Sequence, residues 1–171
     1  REALIFPNNR LSYYDFDETV DALAAGFLAL GLDKGDRLGI WSPNRLEWVL
    51  TQFATARIGV LLVNINPAYR LSELEYSLNT VGCKAIVLAQ SLKSSNYLQM
   101  IRALAPEIDT CSQGKLHSIK LPQLRHVIVM GDVDGFDGLW SFDDILKLGG
   151  PIHKKQLSEI EQKLKPDDAI N

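Results

Sequence analysis

The amino-acid sequence predicts an α/β fold: a mostly parallel sheet with helices on both faces, preceded by a small hairpin. Three observations predict it. From Gly31 to Val87 the chain runs loop, strand, helix, strand, helix, strand with almost no gap. Its apolar runs, Leu38 to Trp41, Val60 to Ile65 and Ala85 to Leu88, have the length of buried strands and are too short for buried helices. Each helical segment between them opens on capping residues and closes on a glycine. Strands alternating with helices in this way build a parallel sheet.

Ala3 to Phe6 and Leu11 to Tyr14 flank Pro7-Asn8-Asn9-Arg10, which reads as a hairpin over 3–14 turning at Asn8-Asn9. An α/β core over 15–105 follows. Asp15 and Glu18 have the spacing of a reciprocal cap, and Val20, Leu23, Ala24, Phe27 and Gly31 share one helix face. Gly31 is the left-handed stop. In the second helix Asn44 caps and Glu47 answers it. Leu46, Val49, Leu50, Phe53, Ala54 and Ile58 make its stripe, Gly59 ends it, and Trp48 falls off the stripe. Ser72 with Glu75 caps the third helix, which carries Leu74, Leu78 and Val81 and stops at Gly82. A fourth runs from Tyr97 to Ala105 and halts at Pro106.

Glu107 to Arg125 has no periodicity and reads as a long, loosely ordered excursion. The last strand and helices occupy 126–171. Val127 to Met130 is a buried strand, and Phe142 to Leu148 is a helix that Ser141 caps. Gln156 to Leu164 is an amphipathic helix pairing Glu159 with Lys163. Pro166 breaks it. The chain begins at Arg1 and stops at Asn171 in mid-pattern, so it reads as cut from something longer.

Composition narrows the function classes. With 18 basic and 21 acidic residues in 171, and no basic run longer than Lys154-Lys155, a nucleic-acid surface is not expected. No apolar run reaches the ~20 residues of a membrane span. Cys83 and Cys111 lack the spacing of a zinc or redox pair, and Cys83 reads as a small core residue.

Candidates for chemistry are few. No glycine-rich phosphate loop follows a strand, and the glycines at 26, 31, 35 and 39 read as helix stops and turn formers. Gly131 to Gly138 is rich in aspartate, but its glycine comes fourth and no glutamate follows, so a solvated turn is expected rather than a calcium loop. His117, His126 and His153 are scattered, and His126 reads as a satisfied residue at a strand entrance. Asp36 and Arg37 read as turn residues. Ligands of open α/β sheets collect beyond the carboxyl ends of the strands. Those loops are Ser42 to Asn44, Asn66 to Arg70 and Gln90 to Ser95. Lys93, set among serines in the last of them, is the single candidate for a cofactor contact, with a phosphate. No catalytic residue and no metal ligand is expected.

Several segments together resemble the opening of the adenylate-forming enzymes, the acyl-CoA synthetase and luciferase superfamily. They are Leu11-Ser12-Tyr13-Tyr14, Gly31 to Leu38, Ser42 to Trp48, Ala56 to Val60, Asn64 to Arg70, Ser72 to Tyr76 and Lys165 to Asn171. Within it, Val63 to Tyr69 and Glu73 to Tyr76 look most like a medium-chain fatty acyl-CoA synthetase. The resemblance implies that residues 1–171 are the first, incomplete part of a large AMP-binding domain. It implies a parent that uses ATP, magnesium and coenzyme A to convert a carboxylic acid, through an acyl-adenylate, into a thioester. The phosphate loop would begin just after Asn171, so this stretch alone is expected to be an inactive scaffold that binds no cofactor tightly. Its partners would be the remainder of its own polypeptide and, in the parent, a small carboxylic acid, and a homodimer is compatible. The cytoplasm is the expected compartment, with the mitochondrial matrix as the alternative if a targeting segment precedes Arg1. A coumarate-ligase-like or luciferase-like enzyme, or a self-standing α/β binding module, are the rival readings.

Overall fold

The computed structural model describes residues 1–7 and 9–171. Its hairpin pairs β1 (Glu2–Phe6) with β2 (Asn9–Ser12), Phe6 opposite Asn9. Asn9 therefore belongs to a strand, not to the turn, and the other expected turn residue, Asn8, lies outside the described residues. Tyr13 and Tyr14 are not hairpin residues either, because α1 (Tyr13–Ala29) has already begun. Its cap is Ser12 rather than Asp15. The Ser12 Oγ accepts from the Asp15 N–H at 3.1 Å, and the Asp15 carboxylate accepts from the Ser12 N–H and Oγ. Such a cap is worth about 1 kcal/mol. Ser12→Ala is expected to lower unfolding stability by that amount in urea titration, and an unchanged midpoint would contradict the assignment.

Five strands form the main sheet: β3 (Arg37–Trp41), β4 (Leu61–Asn64), β5 (Ala85–Ala89), β8 (His126–Met130) and the short β9 (Trp140–Ser141). The order is β4-β3-β5-β8-β9, parallel throughout. β5 and β8 are buried along their whole length, as strands covered on both faces must be. Helices α1, α2 (Leu46–Ile58), α5 (Phe142–Leu148) and α6 (Pro151–Glu161) touch one another, while α3 (Leu71–Val81) and α4 (Tyr97–Leu104) form a second group. The predicted fold class is borne out.

Details differ from expectation. Arg45 and Arg70, not Asn44 and Ser72, occupy the N-cap positions of α2 and α3, and at α3 the reciprocal acceptor is Glu73, bonded to the Arg70 N–H at 3.2 Å. Phe53 points outward, 51% exposed, and meets Phe16 edge-on at 5.1 Å. Thr51 and Thr55 face inward instead, their hydroxyls bonded to the carbonyls of Glu47 and Thr51. α1 and α2 are tied by Arg57, which pairs with both Asp17 and Asp21.

The excursion is not loose. A 3-10 turn at Pro106–Asp109 opens it, and Leu116, Ser118, Leu121 and Leu124 are buried. The Glu107 carboxylate accepts from the Ile119 N–H, and Asn79 donates to the Lys120 carbonyl. The last helix begins earlier than predicted, with Pro151 in its first turn and His153 Nδ1 accepting from the Gly150 N–H. Lys163 lies beyond its end, and among the described ion pairs none joins it to Glu159. After it the chain returns to β4, where the Leu62 N–H donates to the Ile170 carbonyl and Lys34 pairs with Asp168 at 2.6 Å.

Glycine roles divide. Gly31 and Gly35 have φ near +80°, as turn formers should. Gly26 and Gly39 do not: one lies inside α1 against Ile145, the other inside β3 against Ile65. They are small because a neighbour sits where a Cβ would be.

Candidate functional site

The chain starts its sheet at β3, steps to β4, and then crosses back over β3 to β5. Connections leaving β3 and β5 thus run to opposite faces, which opens a crevice between their carboxyl ends, the usual ligand position in such sheets. Here the crevice is filled. Trp41, the last residue of β3, stacks on Tyr97, the first of α4, with ring centroids 3.8 Å apart and planes at 14°. Both are fully buried. The Trp41 indole N–H donates to the Asn66 carbonyl at 3.1 Å and the Tyr97 hydroxyl donates to the Pro67 carbonyl at 2.6 Å.

Open space lies beside that plug instead. A groove of about 450 Å³ separates loop 66–70 from loop 91–96. Its walls include Pro67 and Arg70 on one side and Leu92, Lys93, Ser94 and Ser95 on the other. Loop 91–96 is itself a tight antiparallel hairpin of β6 (Ser91–Leu92) and β7 (Ser95–Asn96). Lys93 sits at its tip with φ +51°, the sole non-glycine residue of positive φ among the described residues, and is exposed. The Arg70 guanidinium reaches across to the Ser95 hydroxyl at 3.0 Å. Two cations and two serine hydroxyls therefore border one groove. That arrangement suits an anion, and a phosphate in particular.

The structure brings Lys93 together with Arg70, Ser94 and Ser95, and separates the remaining candidates. Asn44 lies outside this groove, near the hairpin. Arg70 and the aromatic pair were not singled out from sequence. Arg70 was legible as a cation in a strand-end loop, while the stack joins residues 56 positions apart and leaves no local sign.

Other candidates resolve as framework. Cys83 is buried, and burial pushes its thiol up to about 11, which makes it unreactive. Asp36 accepts from the Asp33 N–H and from the Lys84 ammonium, a turn role. In the aspartate-rich loop Asp132 caps the Asp134 N–H, and Gln90 holds the Asp132 carbonyl. Among the described residues no group of three or more His, Cys, Asp or Glu converges as for a metal. His117 is exposed. His126 is the surprise: it is 6% exposed and hydrogen-bonded with the Leu30 backbone, but its Nδ1 has no partner among the described residues, so it is only half satisfied. A further groove of about 410 Å³ runs along α3 between Tyr69, Tyr76 and Val81, largely apolar.

Sheet order and switch point define an open, doubly wound α/β domain with a cationic groove at its strand ends. Comparison with known proteins makes this specific. The family described as AMP-binding enzyme matches residues 1–169, and the chain belongs to it. It is 43% identical over 173 residues to the medium-chain acyl-CoA ligase ACSF2, mitochondrial, of Danio rerio, covering all of this chain and 28% of that protein. The Homo sapiens protein of the same name is 42% identical over 175 residues, with the same shares. The chain thus spans little more than a quarter of these relatives. Among solved structures, the anthranilate CoA ligase AuaEII in complex with anthranoyl-AMP superposes with TM-score 0.71 at 22% identity, over 86% of this chain and 25% of that one. Apo MbtA of Mycobacterium smegmatis gives 0.66 at 26%, over 85% and 24%. The adenylate-forming resemblance read from the sequence is borne out.

Proposed function

We propose that this chain is the opening part of the large AMP-binding domain of an acyl-CoA ligase that activates a medium-chain fatty acid. One observation carries the reading: identity of 42–43% along the whole chain to two proteins named medium-chain acyl-CoA ligases. In the parent, ATP and the acid would give an acyl-adenylate and pyrophosphate, and coenzyme A would then displace AMP. Magnesium would offset charge on the triphosphate, though none of the residues described here is assigned to it. Such chemistry is mainly positioning and electrostatic stabilisation. This chain's own share is a rigid sheet and the Arg70–Lys93 groove, where Lys93 would hold a phosphate of ATP or coenzyme A. The domain divides as hairpin 2–12, core 13–105, excursion 107–125 and closing strand and helices 126–171. The relatives' names point to the mitochondrion as the parent's compartment.

Two assays test the proposal. The isolated chain is expected to show no acid-dependent release of pyrophosphate from ATP, and release would overturn its role as scaffold. In the complete polypeptide, Lys93→Ala is expected to raise KM for ATP or for coenzyme A about tenfold with kcat little changed, as for loss of one charge-assisted contact. Wild-type KM values for both ATP and coenzyme A would remove Lys93 from the site.

A further inference from the structure

Tyr97 occupies an unusual place relative to the groove. Its backbone N–H, with that of Leu98, donates to the Gln90 carbonyl, which closes the hairpin that carries Lys93. Its side-chain hydroxyl donates to the Pro67 carbonyl at 2.6 Å, which fixes the loop that carries Arg70. One residue therefore ties down both walls. Trp41 is the platform: it stacks on the Tyr97 ring and holds the neighbouring Asn66 carbonyl. Loop 66–70 is further preset by Asn66, whose side chain accepts from the Ala68 N–H at 2.9 Å. With both rings buried, the tether has no room to wander.

We propose that Tyr97 is a positioning residue that sets the separation of Arg70 and Lys93 so that both reach one phosphate group. The inference rests on the phosphate reading of the groove. Two cations held apart at a fixed spacing bind an anion without first giving up loop entropy, so preorganisation appears directly as affinity. Removing the Tyr97 hydroxyl leaves the ring and its stack in place and cuts only the link to Pro67. The Arg70 loop then keeps only its bonds through Asn66 and Ser95, and the spacing of the two cations is no longer fixed.

The test is a titration of the chain with inorganic pyrophosphate, followed by ³¹P NMR, with circular dichroism confirming that each variant is folded. Lys93→Ala is expected to weaken binding about tenfold and Tyr97→Phe about fivefold, the scale of one charge-assisted contact and one tether. The double variant is expected to bind within about twofold of Lys93→Ala, because the tether works through the paired cations. A merely structural role for Tyr97 would lower the melting temperature and leave the affinity of folded protein unchanged. Wild-type affinity in Tyr97→Phe, beside weak binding in Lys93→Ala, would overturn the inference and leave the groove standing. Losses that multiply in the double variant would overturn it too. If the wild-type chain shows no saturable binding, or Lys93→Ala changes nothing, the groove reading falls and the inference with it. Should Tyr97→Phe fail to fold, Trp41→Phe decides instead. It keeps an aromatic platform, loses the Asn66 bond and part of the stacked surface, and is expected to weaken binding about as much; wild-type affinity there would overturn the inference.

Discussion

Gly26→Ala is expected to destabilise the fold by at least about 2 kcal/mol, an unusual outcome for a change that improves helix propensity. In the middle of an exposed helix the same substitution would gain about 1 kcal/mol. At this position a Cβ would run into the Ile145 carbonyl and lie 2.8 Å from its Cγ2, so α1 and α5 would have to separate. Overpacking of that kind costs about 3 kcal/mol, and here the obstruction is backbone, which cannot rotate away. The same seam repeats one step along, where a Cβ on Gly149 would meet the Ala25 Cβ at 2.5 Å. Gly31→Ala is the control. Nothing lies within 4 Å of its Cβ position and only φ +79° is strained, so about 1 kcal/mol is expected. Urea unfolding with an unchanged m-value separates the two cases. A Gly26→Ala variant as mild as Gly31→Ala would show that the α1–α5 contact is not close.

The contrast explains why some of the fold was legible in the sequence and some was not. Leu38 to Trp41, Ala85 to Leu88 and Val127 to Met130 read correctly because a strand covered on both faces needs an unbroken apolar run. Glycine stops at 59 and 82 read correctly because a positive φ is a local demand, met at +69° and +72°. Gly26 answers a demand made by Ile145, more than a hundred residues away, and nothing nearby in the chain announces it. Cap positions were ambiguous for another reason. Ser12 with Asp15 and Asp15 with Glu18 have the same spacing, so only the backbone's path chooses between them. At α2 the apolar stripe misassigned Phe53, because two threonines can face inward once their hydroxyls bond the preceding turn.

The candidate site divides along the same line. Lys93 stood out as a candidate because strand-end loops are where an α/β sheet presents groups to a ligand. Its companion Arg70 sits in the neighbouring strand-end loop, but the bond to Ser95 that brings it to the groove depends on β3 lying between β4 and β5. The Trp41–Tyr97 plug depends on that order as well. An apolar tryptophan at the end of a buried strand and a tyrosine at the start of a helix each look like ordinary core residues. Their polar atoms acquire meaning only through the carbonyls of loop 66–70.

Stability is expected to fall by about 3 kcal/mol as pH drops from 6.5 to about 4, because of His126. This first residue of β8 is buried, and its Nδ1 has no partner among the described residues. Burial, then the charges of Lys84 and Arg125, pull the imidazole down to about 4, opposed in part by a hydrogen bond with the Leu30 backbone. The unfolded chain takes up a proton near pH 6.5, whereas the folded chain refuses one until about pH 4. Unfolding therefore binds a proton across that window, so stability is full above it and declines through it. The carboxylates held below their ordinary values, Glu73, Glu107, Asp109 and Asp168, add their own loss only from about pH 4.5 downward. His126→Leu should flatten the profile between pH 6.5 and 4.5 while leaving the more acidic limb in place. Urea midpoints across that range provide the measurement. A His126→Leu chain with the wild-type slope would mean that the proton goes elsewhere, and that the imidazole is already charged inside the fold.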